Sequence, residues 1–181
     1  MNCDLASQKV SQLNPVLGRM ELIQIGKPQK TEGLLAVVDY AHTPDALEKT
    51  LQALRPIADQ RGGNIWCVFG CGGDRDAGKR SLMGAVAERY ADQILITSDN
   101  PRSEDPQAIM QMIRDGLKVD ATNVQMIADR AAAIMAAVRH ANARDIVLVA
   151  GKGHETTQEI NGKKFDFSDQ EHIRLAAGGG I

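Results

Sequence analysis

The chain has 181 residues, of which 43% are apolar, and a formal net charge of −2. This length and apolar content suit one domain with a substantial buried core. Interspersed charges exclude the basic stripe of a nucleic-acid-binding protein, and no apolar run has membrane-spanning length. Three cysteines and no secretory signal pattern predict a cytoplasmic protein. Cys67 and Cys71 are too few for a zinc site, and no metal site is predicted.

Short apolar runs alternate with amphipathic patterns along the chain. The runs predict strands at 18–23, 34–38, 65–69, 93–97, 124–127 and 145–150. Between the strands, apolar residues recur at helical spacing. The alternation predicts an α/β fold, a Rossmann-like and mostly parallel sheet with helices on both faces.

The helix after the second strand has clear boundary signals. Thr43 suits the N-cap, and Pro44 suits the first helical position because proline lacks only an N–H that would have no partner there. Pro56 is expected to end this helix. The following helix is expected to carry the apolar residues Leu82, Met83, Val86, Ala87 and Tyr90. Asp129 is expected to cap a later, alanine-rich helix.

The C-terminal segment predicts a small β-hairpin and a short final helix. Asn161 and Gly162 accept the positive φ angles of a tight two-residue turn. Ser168 and Glu171 have the spacing of a capping box. We expect a domain at 18–176, with 1–17 as a lead-in and 177–181 as a flexible tail.

Polar segments follow the strands that end near residues 38, 70, 97 and 150. Because the carboxyl ends of parallel strands share one edge of a sheet, these four loops should converge where open α/β sheets bind ligands. The loop at 98–105 contains Asn100, Pro101 and Arg102. An amide, a rigid turn and a planar fork of donors suit binding of a small anionic group.

The loop at 73–79 comes close to the phosphate-binding pattern G-x-x-x-x-G-K. Arg80 stands where that motif needs Ser or Thr for magnesium, and Asp74 and Asp76 would place carboxylates beside phosphates. We therefore favour a sharp glycine turn that points Arg75 into the crevice.

Five motifs, in consistent order from about residue 15 to residue 169, resemble the diaminopimelate-adding branch of the Mur ligase family (MurE). They are G-R-M-E at 18–21, D-Y-A-H-T-P-D at 39–45, G-C-G-G-D-R-D at 70–76, D-N-P-R at 99–102 and G-K-G-H-E at 151–155. The resemblance implies the C-terminal domain of an ATP-dependent, amide-forming ligase of peptidoglycan synthesis. Such a ligase adds meso-diaminopimelate to UDP-N-acetylmuramoyl-L-alanyl-D-glutamate (UDP-MurNAc-L-Ala-D-Glu).

The resemblance also implies roles for individual residues. Meso-diaminopimelate would be bound by Arg75, Asp99, Asn100, Pro101, Arg102, Gly151 and Glu155. ATP would be contacted by Arg19, Asp39 and His42. The resemblance further implies that ATP and Mg²⁺ are held mainly by a central domain, and the nucleotide-sugar by other domains, none of which this sequence matches. We expect no catalytic residue in this part, no turnover by it alone, and a monomer.

Two assignments stay open at this stage. His42 is interpreted either as a nucleotide contact or as a histidine that hydrogen-bonds its own turn. Lys152 is interpreted either as a phosphate contact or as a solvated lysine.

Charge complementarity explains the implied preference for diaminopimelate. This amino acid differs from lysine by one carboxylate beside the far ammonium, which Arg102 can bind bidentately, with Asn100 adding a hydrogen bond and Glu155 pairing with the ammonium. Lysine would leave Arg102 desolvated and unpaired. An unpaired buried charge costs about 3–5 kcal/mol, enough for at least about hundredfold discrimination.

Two alternatives remain. The chain could be a stand-alone module that binds an amino acid or a nucleotide without chemistry. It could also be the C-terminal domain of a folylpolyglutamate synthase-like ligase, although a glutamate-adding enzyme has no need of the sequence at 99–102.

Overall fold

The computed structural model describes residues 17–25 and 33–178. Its strands are β1 (Glu21–Gln24), β2 (Leu35–Asp39), β3 (Ile65–Phe69), β4 (Gln93–Ile96), β5 (Val124–Met126), β6 (Ile146–Ala150), β7 (Thr157–Ile160) and β8 (Lys163–Asp166). Its helices are α1 (Pro44–Arg61), α2 (Gly78–Tyr90), α3 (Pro106–Arg114), α4 (Arg130–His140) and α5 (Asp169–Ala176). Most of the predicted lead-in at 1–17, and the end of the predicted tail at 177–181, lie outside the described residues. Among the helices described, none is both long and apolar enough to cross a membrane.

The main sheet has six strands in the order β1-β2-β6-β3-β4-β5. β1 is antiparallel to β2, and all the other neighbours are parallel. Ala150 at the end of β6 is paired with Asp39 on one side and with Phe69 on the other. The carboxyl ends of these three strands are therefore level, and their loops begin side by side.

Alternate residues of the strands enter two separate cores, one on each face of the sheet. Val37, Cys67 and Leu148 belong to the core that includes buried residues of α1, α2 and α3. Val38, Val68 and Val149 belong to the core that includes α4 and α5. The predicted fold class, a mostly parallel sheet with helices on both faces, is confirmed, and so is the separate hairpin of β7 and β8.

Helix α1 departs from its predicted end. Thr43 caps it as predicted, with Oγ1 accepting from the Ala46 amide at 3.3 Å, but Pro56 lies inside a helix that continues to Arg61. Pro56 and the residue four positions before it are both exposed, so water can satisfy the carbonyl that lacks an N–H partner. The helix ends instead at Gly62, which adopts φ of +63°.

In helix α2, Met83 and Ala87 are fully buried, whereas Leu82 is 57% exposed. The predicted N-caps of α4 and α5 are confirmed, because the side chains of Asp129 and Ser168 accept hydrogen bonds from their first turns.

Candidate functional site

The loops after β2, β3, β4 and β6 converge on one crevice of about 320 Å³, as predicted. Its lining includes seven of the ten predicted site residues, which are His42, Arg75, Asp99, Asn100, Arg102, Gly151 and Glu155. Pro101 is buried in the loop that carries Arg102, while Arg19 and Asp39 lie outside the lining.

The hairpin holds the loop after β4 in place. The Arg102 amide donates to the Glu159 carbonyl at 3.0 Å, and the Asn161 amide donates back to the Arg102 carbonyl at 2.6 Å. The Gln158 side chain donates to the Asp99 carbonyl at 2.7 Å. Arg102 adopts φ of +51°, a conformation that this added pairing stabilises. Sequence reasoning predicted the hairpin but not its contact with the loop.

Arg102 keeps part of its guanidinium available to the crevice. Nη1 donates to the Gly73 carbonyl at 2.7 Å, and Nε lies 3.6 Å from the Glu159 carboxylate. The side chain is 22% exposed. A guanidinium carries five N–H donors, so the contacts found among the described residues leave donors for an anionic ligand.

Lys152 lies beneath the crevice, with a side chain that is 0% exposed. Its Nζ donates to Asn100 Oδ1 and to Glu155 Oε2, both at 3.0 Å. The interpretation of Lys152 as a solvated lysine is therefore wrong. Gly151 and Gly153 flank it with φ of +115° and +55°. Such positive φ values favour glycine and turn this segment back across the sheet edge.

Glu155 is the carboxylate at this end of the crevice. Burial acts to raise its pKa, but hydrogen bonds from Asn100 and Lys152 outweigh this and hold the pKa below its ordinary value. The Asn100 contact runs from Nδ2 to Glu155 Oε2 at 2.8 Å. Glu155 is therefore ionised at neutral pH and able to bind a cation.

Asp99 lies deeper than Glu155 and behaves differently. Burial raises the pKa of its carboxyl, although Arg130 and Lys152 act in the opposite direction. A Cβ at Gly151 would lie 2.6 Å from Asp99 Oδ2. Glycine is therefore required at position 151 by this close approach as well as by its φ.

Further cationic side chains line the crevice. Lys79 donates from Nζ to the His42 carbonyl at 2.8 Å, and the exposed Arg75 also lines the crevice. His42 Nδ1 lies 2.8 Å from the Tyr40 carbonyl, which is the contact expected of a histidine that bonds its own turn. Its exposed ring nevertheless faces the crevice.

The position after the loop at 73–79, where a phosphate-binding loop needs Ser or Thr, is occupied by an arginine that holds the fold together. Arg80 is buried and binds Glu104 through Nη1 and Nη2, at 2.8 Å each. These bonds, with one from the Asp74 amide, lower the pKa of Glu104 to about 2. The pair ties this loop to the loop after β4, in agreement with the sharp-turn interpretation.

Asp39 is mostly engaged in holding its own surroundings. Oδ2 accepts from the Met20 amide at 2.7 Å, and Oδ1 accepts from the Ala41 amide and the Thr50 hydroxyl. These bonds fix the segment before β1, where the exposed Arg19 lies 5.5 Å from the centre of the Tyr40 ring. The three predicted ATP contacts thus lie near one another at the rim, with Asp39 beneath the surface.

Metal ligands are not grouped in the part of the chain that the structure describes, since no three His, Cys, Asp or Glu side chains come together as a site. Cys67 and Cys71 are both buried. Burial raises the pKa of each thiol to about 12.

A buried ion pair under the crevice has no counterpart in the sequence analysis. Arg130 binds Asp169 through Nε and Nη2 at 2.8 Å each, and both side chains are fully buried. Arg130 also donates to the carbonyls of Ser98 and Ala150. The only available signal was an arginine on the otherwise apolar face of α4, which periodicity alone does not distinguish from a solvated one.

Comparison with known families supplies the decisive observation. Residues 18–153 match the family described as Mur ligase, glutamate ligase domain. The chain belongs to the Mur ligase family. This match confirms the resemblance drawn from the five motifs, and it includes the crevice loops after β2, β3 and β4 and the first three residues of the loop after β6.

Individual relatives agree with the family. A Ralstonia nicotianae protein named UDP-N-acetylmuramoyl-L-alanyl-D-glutamate–2,6-diaminopimelate ligase is 61% identical over 171 residues, which cover 94% of this chain and 32% of the relative. A solved structure of a ligase with the same name superposes with a TM-score of 0.79 at 41% identity, covering 98% of this chain and 35% of that one. The Mur ligase domain described here therefore spans about a third of the length of these relatives.

A more distant likeness concerns the fold alone. The structure of a folylpolyglutamate synthase from Thermotoga maritima superposes with a TM-score of 0.54 at 19% identity, over 81% of this chain and 33% of that one.

Proposed function

We propose that this domain binds the incoming amino acid and completes the ATP site of a ligase that adds meso-diaminopimelate to UDP-MurNAc-L-Ala-D-Glu in peptidoglycan synthesis. The observation that carries the proposal is that Arg102 and Glu155 line the same crevice. A cation and an anion on one wall complement the zwitterionic end of diaminopimelate. The names of the similar ligases support this substrate, and the reaction would take place in the cytoplasm.

Different side chains of the crevice suit the charged groups at the two ends of the amino acid. Arg102 has free donors for the far carboxylate, and the second N–H of the Asn100 amide can join it. Glu155 accepts from the adjacent ammonium. Arg75, which also lines the crevice, would bind a second carboxylate of the same amino acid. Pro101 stiffens the loop, and Gly151 leaves room for the ligand backbone.

The contribution of this domain to the reaction is orientation. Held by these side chains, the amino acid presents its attacking amine in one direction, which replaces a random encounter by a positioned one. ATP, when bound, supplies the phosphoryl group that activates the substrate carboxyl. Arg19 and His42 are exposed at the rim, where they can contact the phosphates and the nucleoside, and Asp39 supports the segment that carries Arg19. Mg²⁺ would be bound mainly by the rest of the enzyme.

Calorimetric titration of the chain with meso-diaminopimelate, L-lysine, L-glutamate and ATP tests the proposal. We expect diaminopimelate to bind at least about a hundredfold more tightly than lysine, because lysine leaves Arg102 unpaired. Equal affinities for the two would contradict the proposal, and a preference for glutamate would favour a folylpolyglutamate synthase-like domain. Submicromolar binding of diaminopimelate without ATP would favour a stand-alone binding module.

A further inference from the structure

We propose that Lys152 is a positioning residue, whose buried ammonium group fixes the side chains of Asn100 and Glu155 in their ligand-binding orientations. The inference rests on the proposed function, since it concerns the amino-acid end of the same crevice. Lys152 itself does not line that crevice, so it acts through the two side chains above it.

The backbone conformation around Lys152 explains why its side chain is buried beneath the crevice. It is flanked by two glycines with positive φ, and the Gly151 amide donates to the Asp39 carbonyl at 3.0 Å. The Lys152 carbonyl in turn accepts from the Glu155 amide at 3.0 Å. Lysine is rarely fully buried without a partner, and here the fold both buries it and directs it at two polar groups.

Asn100 shows how the orientation is fixed. Its Oδ1 accepts from Lys152 Nζ at 3.0 Å and from the Glu159 amide at 2.9 Å. With both donors on this side, only the oxygen of the amide can face them, and Nδ2 must face Glu155. A rotated amide would set its NH₂ group against an ammonium and an N–H, and its oxygen against a carboxylate.

Glu155 is fixed in the same way. Its Oε2 accepts from Asn100 Nδ2 at 2.8 Å and from Lys152 Nζ at 3.0 Å. No bond to Oε1 is found among the described residues, so this oxygen is left for the ammonium of the ligand. Charge-assisted hydrogen bonds are about twice as strong as neutral ones, so Lys152 contributes strongly to this orientation.

Several other charged groups act on this cluster, and the experiment must hold them constant. Those nearest to Glu155 and to its neighbour Asp99 are Arg102, Arg130 and Asp169. None of them is altered in the variants below.

The first experiment follows the Glu155 carboxyl by ¹³C NMR while the ligand-free chain is titrated with acid, in the wild type and in Lys152→Met. Burial raises the pKa of Glu155, and Lys152 helps to lower it. Removing the ammonium should therefore move the Glu155 titration to higher pH. Superimposed curves would overturn the inference, whether or not the chain binds diaminopimelate. Lys164→Met, at an exposed position of β8, is the matched control and should leave the curve unchanged.

A second measurement needs no variant and covers the case in which Lys152→Met does not fold. In the wild type, the ammonium protons of Lys152 should exchange slowly with water, because this buried group donates to two side chains. Exchange as fast as that of the exposed Lys164 would overturn the inference.

Calorimetry then separates positioning from general stability. Lys152→Met should weaken diaminopimelate binding about tenfold or more, the equivalent of losing a hydrogen bond to a charged group. In a Glu155→Gln background the same change should have a smaller effect, because the part of the Lys152 contribution that acts through Glu155 is already lost and only the part through Asn100 remains. Equal losses in both backgrounds would contradict positioning. Failure of the wild type to bind any diaminopimelate would count against the proposed function and leave the NMR result to decide on Lys152.

Discussion

Two arginines, one within the loop after β4 and one bonded to it from α4, make opposite use of their donors. Below the loop, Arg130 is fully buried, paired bidentately with Asp169 and bonded to the Ser98 and Ala150 carbonyls. Beside the crevice, Arg102 is partly exposed and makes one short bond to a carbonyl. The two regions show how a guanidinium that holds the fold together differs from one that is available to a ligand.

The two arginines differ in how far their N–H donors are hydrogen-bonded within the protein. Arg130 joins the ends of β4 and β6 to the start of α5, so its charge is compensated within the fold. Among the residues that the structure describes, Arg102 pairs with the Glu159 carboxylate, whose oxygen lies 3.6 Å from Nε, which is beyond hydrogen-bond distance. We expect substitutions in the first region to change stability and substitutions in the second to change affinity.

The largest effect is expected from Asp169→Asn. This change leaves the buried Arg130 without a counter-charge, and breaking one member of a buried pair costs about 3–5 kcal/mol. Chemical denaturation of the wild type and the variant measures the difference. Asp166→Asn, at an exposed position of the hairpin, is the control and should change the free energy of unfolding by no more than about 0.5 kcal/mol. A loss below about 1 kcal/mol in Asp169→Asn would remove the distinction between the two arginines.

Local patterns in the sequence were sufficient for most of the fold. The apolar run Ile65–Phe69 is a strand with the predicted bounds, and the caps at Thr43, Asp129 and Ser168 are confirmed. Each of these depends on neighbouring residues. Pro56 was misjudged because its effect on a helix depends on whether water reaches the freed carbonyl, which is a tertiary property.

The candidate site was predicted through its loops, and its supporting contacts were not. Convergence of the loops follows from a parallel sheet, so Arg102 and Glu155 could be placed together before any coordinates. Arg130 and Asp169 are 39 positions apart, and Lys152 was judged from its residue type alone. No periodicity marks a polar residue whose partner is distant in the chain, and burial of such residues emerges only when the elements pack.

The next largest effect is expected from replacing Arg102. Arg102→Met should remove the preference of at least about a hundredfold for diaminopimelate over lysine. Diaminopimelate should bind more weakly because its far carboxylate loses its partner, and lysine should bind more tightly because no buried charge is left unpaired. Stability should fall by about 1 kcal/mol or less, because Arg102 is partly solvated. Calorimetry and thermal unfolding measure the two quantities. Arg174→Met, at an exposed position, is the control. If Arg102→Met instead caused a large loss of stability and left the ratio of diaminopimelate to lysine affinity unchanged, Arg102 would hold the fold together as Arg130 does.

Arg80 and Glu104 form the intermediate case, and we expect the smallest effect there. Arg80 is buried like Arg130, but Glu104 remains 31% exposed, so Glu104→Gln should cost about 1 kcal/mol at neutral pH. The Arg80 hydrogen bonds lower the pKa of Glu104 from 4.5 to about 2. The unfolded chain therefore takes up the proton first as the solution is acidified, and this contribution to stability is lost as pH falls from about 4.5 to about 2.

Denaturation of the wild type and Glu104→Gln across this pH range isolates the contribution of Glu104. The pKa values of Asp145 and Glu155 are also lowered, so both proteins lose stability in acid. Only the difference between them reports on Glu104, and it should shrink steadily as pH falls through this range. A difference that stays constant would mean that solvent screens the carboxylate from Arg80. The pair would then stabilise the loop by packing alone. Burial of Arg80 without burial of Glu104 would not be enough for their charge interaction to stabilise the fold.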